Sequence, residues 1–128
     1  MSQMKLDRLI HQSFSTLILH GFHIEREKIA LTIIYRIYKE CFRIIVSIDF
    51  REDTIDFEIK RGTTVLLLIQ AEDVMVNAPF RAFDRLMTII HNEYAQIGNH
   101  GLTLTQLQRI MNAFVDFLVE NWSVLGSS

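Results

Sequence analysis

From about Met4 to His20, the residues Leu6, Leu9, Ile10, Phe14, Leu17 and Ile18 recur at spacings of three and four. Lys5, Arg8, Gln12 and Ser15 fall largely away from that stripe. This pattern predicts an amphipathic helix. Gly21 stands where a helix ends in a left-handed residue, with Phe22 placed to fold back on the last turn. The period then changes to two. Ile29, Leu31, Ile33, Tyr35 and Ile37 alternate with other residues and predict one strand. Phe42, Ile44, Val46, Ile48 and Phe50 alternate against Arg43, Ser47, Asp49 and Arg51. Ile55, Phe57 and Ile59 alternate against Asp56, Glu58 and Lys60. With Arg51-Glu52-Asp53-Thr54 as a polar turn, the last two runs form an antiparallel hairpin with one dry and one wet face. Arg61-Gly62 makes a further turn. The apolar run from Thr64 to Gln70 reads as a strand buried on both faces, and Ala71 to Ala78 reads as a loop.

Two more helices follow. Asn77 is placed to cap the first, with Pro79 in its opening turn. Phe80, Phe83, Met87, Ile90, Tyr94 and Ile97 supply its stripe, and Gly98-Asn99-His100-Gly101 ends it. Thr103-Leu104-Thr105-Gln106 has the spacing of a capping box. Leu104, Leu107, Met111, Phe114, Leu118, Trp122 and Leu125 continue from it. The expected fold is α+β, in the order α-β-β-β-β-α-α. The expected packing is an antiparallel meander sheet with helices on one face, within a single domain spanning residues 1–128.

Composition narrows the function classes. The chain has 128 residues, 49% of them hydrophobic and 22% charged, a balance that sustains a core rather than disorder. Cys41 is the only cysteine, which excludes a disulfide within the chain and fits a reducing, cytoplasmic compartment. No apolar run approaches the ~20 residues of a membrane helix, and the N-terminus runs into an amphipathic segment, so no membrane partner is expected. The net charge is −2 and the isoelectric point about 6.2, the wrong sign for a general nucleic-acid binder. Residues 1–64 hold ten Lys/Arg and nine Asp/Glu, whereas residues 65–128 hold three and six.

No catalytic or cofactor motif stands out. There is no GxGxxG, P-loop, GxSxG, CxxC or HExxH, so neither an enzyme nor a cofactor or metal is expected. His20 and His23 straddle a helix end, where imidazoles more readily meet free carbonyls than a metal. His91 and Glu93 lie two apart on a helix and do not share a face. Cys41 has no base beside it. The stretch from Glu93 to Met111 has helix-turn-helix spacing, but its second helix offers Arg109 alone as a base reader.

Two surfaces are candidates for binding. Asp49, Glu52, Asp53, Asp56 and Glu58 gather on the central hairpin, where Asp49 is expected to face Asp56 across the strands. They read as a solvated face, as an acidic patch for a basic partner, or as paired carboxylates of a hydrolase lacking an identified acid. The second surface is the last helix. Between Ile110 and Leu125 its apolar residues cover more than one face, so Val115, Val119 and Trp122 are left for a deep core or for another chain.

The first half of the chain resembles a type of small bacterial protein. The segment Ser13-Phe14-Ser15-Thr16-Leu17-Ile18-Leu19-His20-Gly21-Phe22 matches its aromatic helix end. Tyr35-Arg36 matches its tyrosine-basic strand pair. The stretch from Ile45 to Ile59, with Asp49, Arg51 and Asp56, matches its strand-turn-strand. The family is largely uncharacterised, and some of its members are similar to immunity proteins that neutralise a toxin. The resemblance implies an α+β scaffold and a protein partner, and it carries over no catalytic residue. Three functions follow from the chain. One is a non-catalytic protein-binding module, immunity-like, facing a basic toxin. One is a homodimeric adaptor or chaperone using the C-terminal helix. One is an enzyme without a recognisable motif.

Overall fold

A computed structural model describes residues 2–70 and 73–125. It is α+β, with a six-stranded antiparallel sheet in the meander order β1-β2-β3-β4-β5-β6. The strands are β1 (His23–Ile29), β2 (Thr32–Lys39), β3 (Phe42–Asp49), β4 (Thr54–Arg61), β5 (Thr64–Ile69) and β6 (Val74–Val76). The helices are α1 (Gln3–Ser13), α2 (Ser15–Leu19), α3 (Phe83–Ala95), α4 (Leu104–Glu120) and α5 (Trp122–Leu125). Contacts divide the chain into two compact units. One runs from Thr16 to Ala78, and the other joins the N-terminal segment through Ser15 to the chain from Pro79 onward. Among the described residues, no helix is long and apolar enough to cross a membrane.

In the first unit, strand alternation decides which side chains are dry. Ile33, Tyr35 and Ile37 on β2, Ile44, Val46 and Ile48 on β3, and Ile55, Phe57 and Ile59 on β4 are all buried. They share one face, because the register pairs Tyr35 with Val46 and Val46 with Phe57. Leu67 and Ile69 of β5 continue this face, while Leu66 and Leu68 are half-exposed on the other. The strand expected to be buried twice over is therefore buried on one side only.

Two strands go beyond the four predicted. The alternation from Ile29 to Ile37 crosses a turn at Ala30-Leu31, and β1 before it pairs with β2. Ile29 and Leu31 end at the hairpin tip, 55% and 54% exposed, and never reach the core. The other addition is β6, inside the segment expected to be a loop; Ala71 and Glu72 of that segment lie outside the described residues. Asn77 belongs to this edge instead of capping a helix: its N–H donates to the Leu66 carbonyl at 3.0 Å and its Nδ2 to the Val65 carbonyl at 2.9 Å. α2 ends as its glycine predicts. Gly21 lies at φ +92°, its N–H donates to Ile18, and the Phe22 N–H reaches back to Leu17. Lys39 Nζ donates to the His20 carbonyl at 2.8 Å, so a lysine, not the histidines, serves that helix end.

In the second unit, Ser2 caps α1 and Leu6, Leu9 and Ile10 are buried. The predicted single helix breaks at Phe14, a turn residue at φ −100° and ψ 18° whose N–H still donates to the Ile10 carbonyl. α3 starts at Phe83, later than expected, behind a left-handed Ala82 at φ 60°. Phe80 lies before the helix and packs on Phe117 at 5.3 Å between ring centroids. α4 opens with the predicted capping box, Thr103 and Gln106 each bonding the other's backbone. Gln106 also donates to the Glu93 carbonyl, and Arg109 grips the Glu93 carboxylate with two bonds of 2.8 Å.

Candidate functional site

The half-exposed face of the sheet is the first candidate, and its side chains follow from the register. Reading across β2, β3 and β4, the rows are Thr32, Asp49 and Thr54, then Ile34, Ser47 and Asp56, then Arg36, Ile45 and Glu58, then Tyr38, Arg43 and Lys60. Charge is thus sorted along the strands. Asp49, Asp56 and Glu58 occupy one end and the middle, and Arg43 and Lys60 the other end. β1 adds Glu27 beside Ile34 and Glu25 beside Arg36. Arg36 binds Glu27 at 3.2 Å, and the Tyr38 hydroxyl donates to Glu25 at 2.8 Å. That bond to Glu25 raises the Tyr38 hydroxyl above its usual range, with burial and the Glu25 charge acting the same way.

Asp49 and Asp56 do not face each other as the hairpin count implied. The turn spans four residues, Phe50 to Asp53, with Asp53 left-handed at φ 54°. Asp49 therefore pairs with Thr54, and Asp56 sits opposite Ser47. Asp49 Oδ1 accepts the backbone N–H groups of Arg51 at 2.8 Å and Glu52 at 3.1 Å. Those two N–H groups hold its carboxyl below the usual range, with help from the Arg51 charge and the Thr32 hydroxyl. Asp56 is shifted the opposite way, because burial removes water from its carboxyl and the Asp49 charge adds repulsion. Neighbouring carboxylates on one face thus differ in proton affinity.

Glu58 shares the Asp56 face, while Glu52 and Asp53 stand in the turn beyond Asp49, Glu52 within 3.9 Å of Arg51. Asp56 and Glu58 line a shallow depression of about 100 Å³ with Ile45, Ser47, Leu68 and Gln70. Metabolite pockets run to roughly 300–1,000 Å³, so this hollow suits the end of one side chain instead. Ile34, Ile45, Leu68 and Gln70 were not among the expected site residues. The available signal was the presence of apolar residues out of phase with the buried set, at the positions where a solvated strand carries polar ones.

The second candidate lies at the end of α4 and on α5. Val115 is half-buried, Val119 is 65% exposed and Trp122 is 39% exposed. A spacing of four places Val115 and Val119 on one side of α4, and Trp122 opens α5 just beyond the Asn121 cap. Asn121, between the last two, is 1% exposed and fully used. Its Oδ1 accepts the Arg81 N–H at 2.6 Å, and its Nδ2 donates to the carbonyls of Arg81 and Phe117, both at 2.9 Å. This amide fixes the strap before α3 to the end of α4. Phe114, Phe117 and Leu118 are core, so the excess apolar character of the helix divides between core and surface.

The remaining reactive groups stay dispersed. Cys41 is exposed in the β2–β3 turn. Glu93 is bound to Arg109 and not to His91. Among the described residues, no group of three or more His, Cys, Asp or Glu could hold a metal ion. No family model, curated protein or solved structure matches the chain.

Proposed function

We propose that this chain is a non-catalytic, cytoplasmic protein-binding module. In this reading it holds a basic protein through the acidic end of the open sheet face, as an immunity protein holds a toxin. One observation carries the reading: carboxylates and half-exposed apolar residues share a sheet face, and the hollow that Asp56 and Glu58 line there is too small for a metabolite. Asp49, Glu52, Asp53, Asp56 and Glu58 supply attraction, and Ile34, Ile45 and Leu68 supply area that loses water on contact. Electrostatic steering of this kind acts chiefly on association rate. The test begins by cross-linking the chain to its partner in the source cell and identifying that partner. Binding is then measured for the wild type and for the variant with all five carboxylates changed to Asn or Gln. The expected result is association at least ~10-fold slower, with a weaker salt dependence. Unchanged affinity and salt dependence would remove the face from the account.

The exposure of Val119 and Trp122 favours a second reading, a homodimeric adaptor joined through α4 and α5. Light scattering on Val119→Glu and Trp122→Glu decides it. A dimer that becomes monomeric supports it, and a wild-type monomer rejects it.

A further inference from the structure

An open sheet has two edges, and here they differ. β1 presents Glu25, Arg26, Glu27 and Lys28, all in an exposed strand, the charged guise that keeps an edge from pairing with other chains. β6 presents Val74, Met75 and Val76, with 47%, 45% and 43% exposure and no charge.

The backbone of β6 has a definite polarity. The Asn77 N–H donates to Leu66 and the Gln70 N–H to Asp73, so Asn77 and Asp73 are hydrogen-bonded positions toward β5. Met75, paired with Leu68 midway between them, has the same parity. Val74 and Val76, opposite Ile69 and Leu67, therefore turn their N–H and C=O groups outward. Among the described residues, no hydrogen bond reaches those outward groups.

We propose that a second copy of this chain adds to the β6 edge, antiparallel, about a two-fold axis at Met75. The register is dictated by parity. Val74 lies opposite Val76 of the other copy, and each such pair exchanges two backbone hydrogen bonds, four in total. Met75 meets its equivalent in a non-hydrogen-bonded pair, where side chains approach most closely. Four valines gather on one face of the joined sheet. Asp73 falls across from Asn77 of the second copy, so a carboxylate meets an amide and no like charges are opposed. Shifting the pairing by one residue points N–H and C=O groups the wrong way and loses all four bonds. The interface is well below the ~1,200 Å² of a standard complex, so the dimer is weak, with a dissociation constant on the order of 100 µM.

Sedimentation velocity from about 10 µM to 1 mM brackets that value. The wild type is expected to pass from monomer to dimer over this range. The Val74→Pro/Val76→Pro variant deletes only outward donors and leaves the bonds to β5 intact. It is expected to keep the wild-type far-UV circular dichroism and to dimerise at least ~10-fold more weakly. Should the prolines disturb the fold, Val74→Lys/Val76→Lys keeps every backbone donor, sets four cations together across the axis, and has the same expected loss. A wild type that stays monomeric to 1 mM overturns the proposal. So does a dimer that survives both double variants, or one abolished by Val119→Glu. None of these outcomes bears on the acidic face, which is tested separately by the five-carboxylate variant.

Discussion

Removing the Asn121 amide tests how the second candidate surface is held. Asn121→Ala deletes three hydrogen bonds and leaves the Arg81 N–H and C=O and the Phe117 carbonyl without that partner in a site that is 1% exposed. At a net ~1 kcal/mol per bond, plus the penalty on part-buried groups left unmade, the expected loss is about 2–4 kcal/mol. Asn121→Asp is the sharper variant, since it keeps the shape and reverses one polarity. One carboxylate oxygen still accepts from Arg81, but the other faces two carbonyl oxygens where the amide donated. At neutral pH the loss should exceed that of the alanine. Burial and the carbonyls raise the introduced carboxyl's folded-state pKa above its unfolded value. Stability is therefore lost as pH rises through the interval between those values and recovered as pH falls, when the carboxyl protonates and donates. Urea unfolding at several pH values reads both effects as shifts in midpoint at constant slope. An alanine cost below about 0.5 kcal/mol, or an aspartate whose deficit ignores pH, would refute the geometry.

Two further outcomes follow from the sheet. Ala30→Gly relieves a left-handed alanine at φ 53° in the β1–β2 turn and should stabilise the hairpin by about 1 kcal/mol, seen as a higher urea midpoint; no gain would mean the turn is unstrained. Asp56→Asn removes a carboxyl whose folded-state pKa lies above the unfolded value, so stability should rise at neutral pH, by an amount that shrinks once acid protonates the wild-type group. A pH-independent change would place the effect elsewhere. The same variant should weaken partner binding if the acidic face is the contact, separating stability from affinity in one molecule.

The strongest periodicities of the chain specify faces well and boundaries poorly. Ile44, Val46 and Ile48 against Ile55, Phe57 and Ile59 were legible as one dry face because period two leaves no other arrangement for alternating β-branched residues. The Gly21 helix stop and the Thr103–Gln106 box were legible because each needs a particular residue at a particular place. The first hairpin was hidden because Ala30-Leu31 lacks turn residues. An alanine takes the left-handed position usually held by glycine or asparagine, so the alternation of Ile29 and Leu31 runs on through the turn in the sequence. The β6 strand was hidden by its length, since three residues carry no period. The Asp49 and Asp56 register depended on where the turn is centred, between Arg51 and Glu52 as observed or between Glu52 and Asp53, which the polar run Arg51-Glu52-Asp53-Thr54 does not specify.

What stability alone does not account for is concentrated on the sheet. An open sheet is soundest with charged edges, polar residues on its wet face and glycine in its tight turns. β1 follows the first rule and β6 does not. Arg43, Ser47 and Lys60 follow the second, whereas Ile34, Ile45 and Leu68 do not. Gly62 follows the third, but Ala30, Glu40 and Asp53 hold left-handed positions at some conformational cost. Asp56 keeps a carboxylate where burial and a neighbouring charge oppose it. The helical unit shows the opposite habit: its buried polar groups Glu93, Gln106 and Asn121 are each bonded. Departures from local consistency tend to mark functional surfaces, because selection for binding tolerates what selection for folding removes. That contrast points partner-seeking mutagenesis to the wet face and the β6 edge first, ahead of the interhelical polar residues, whose bonds already account for their presence.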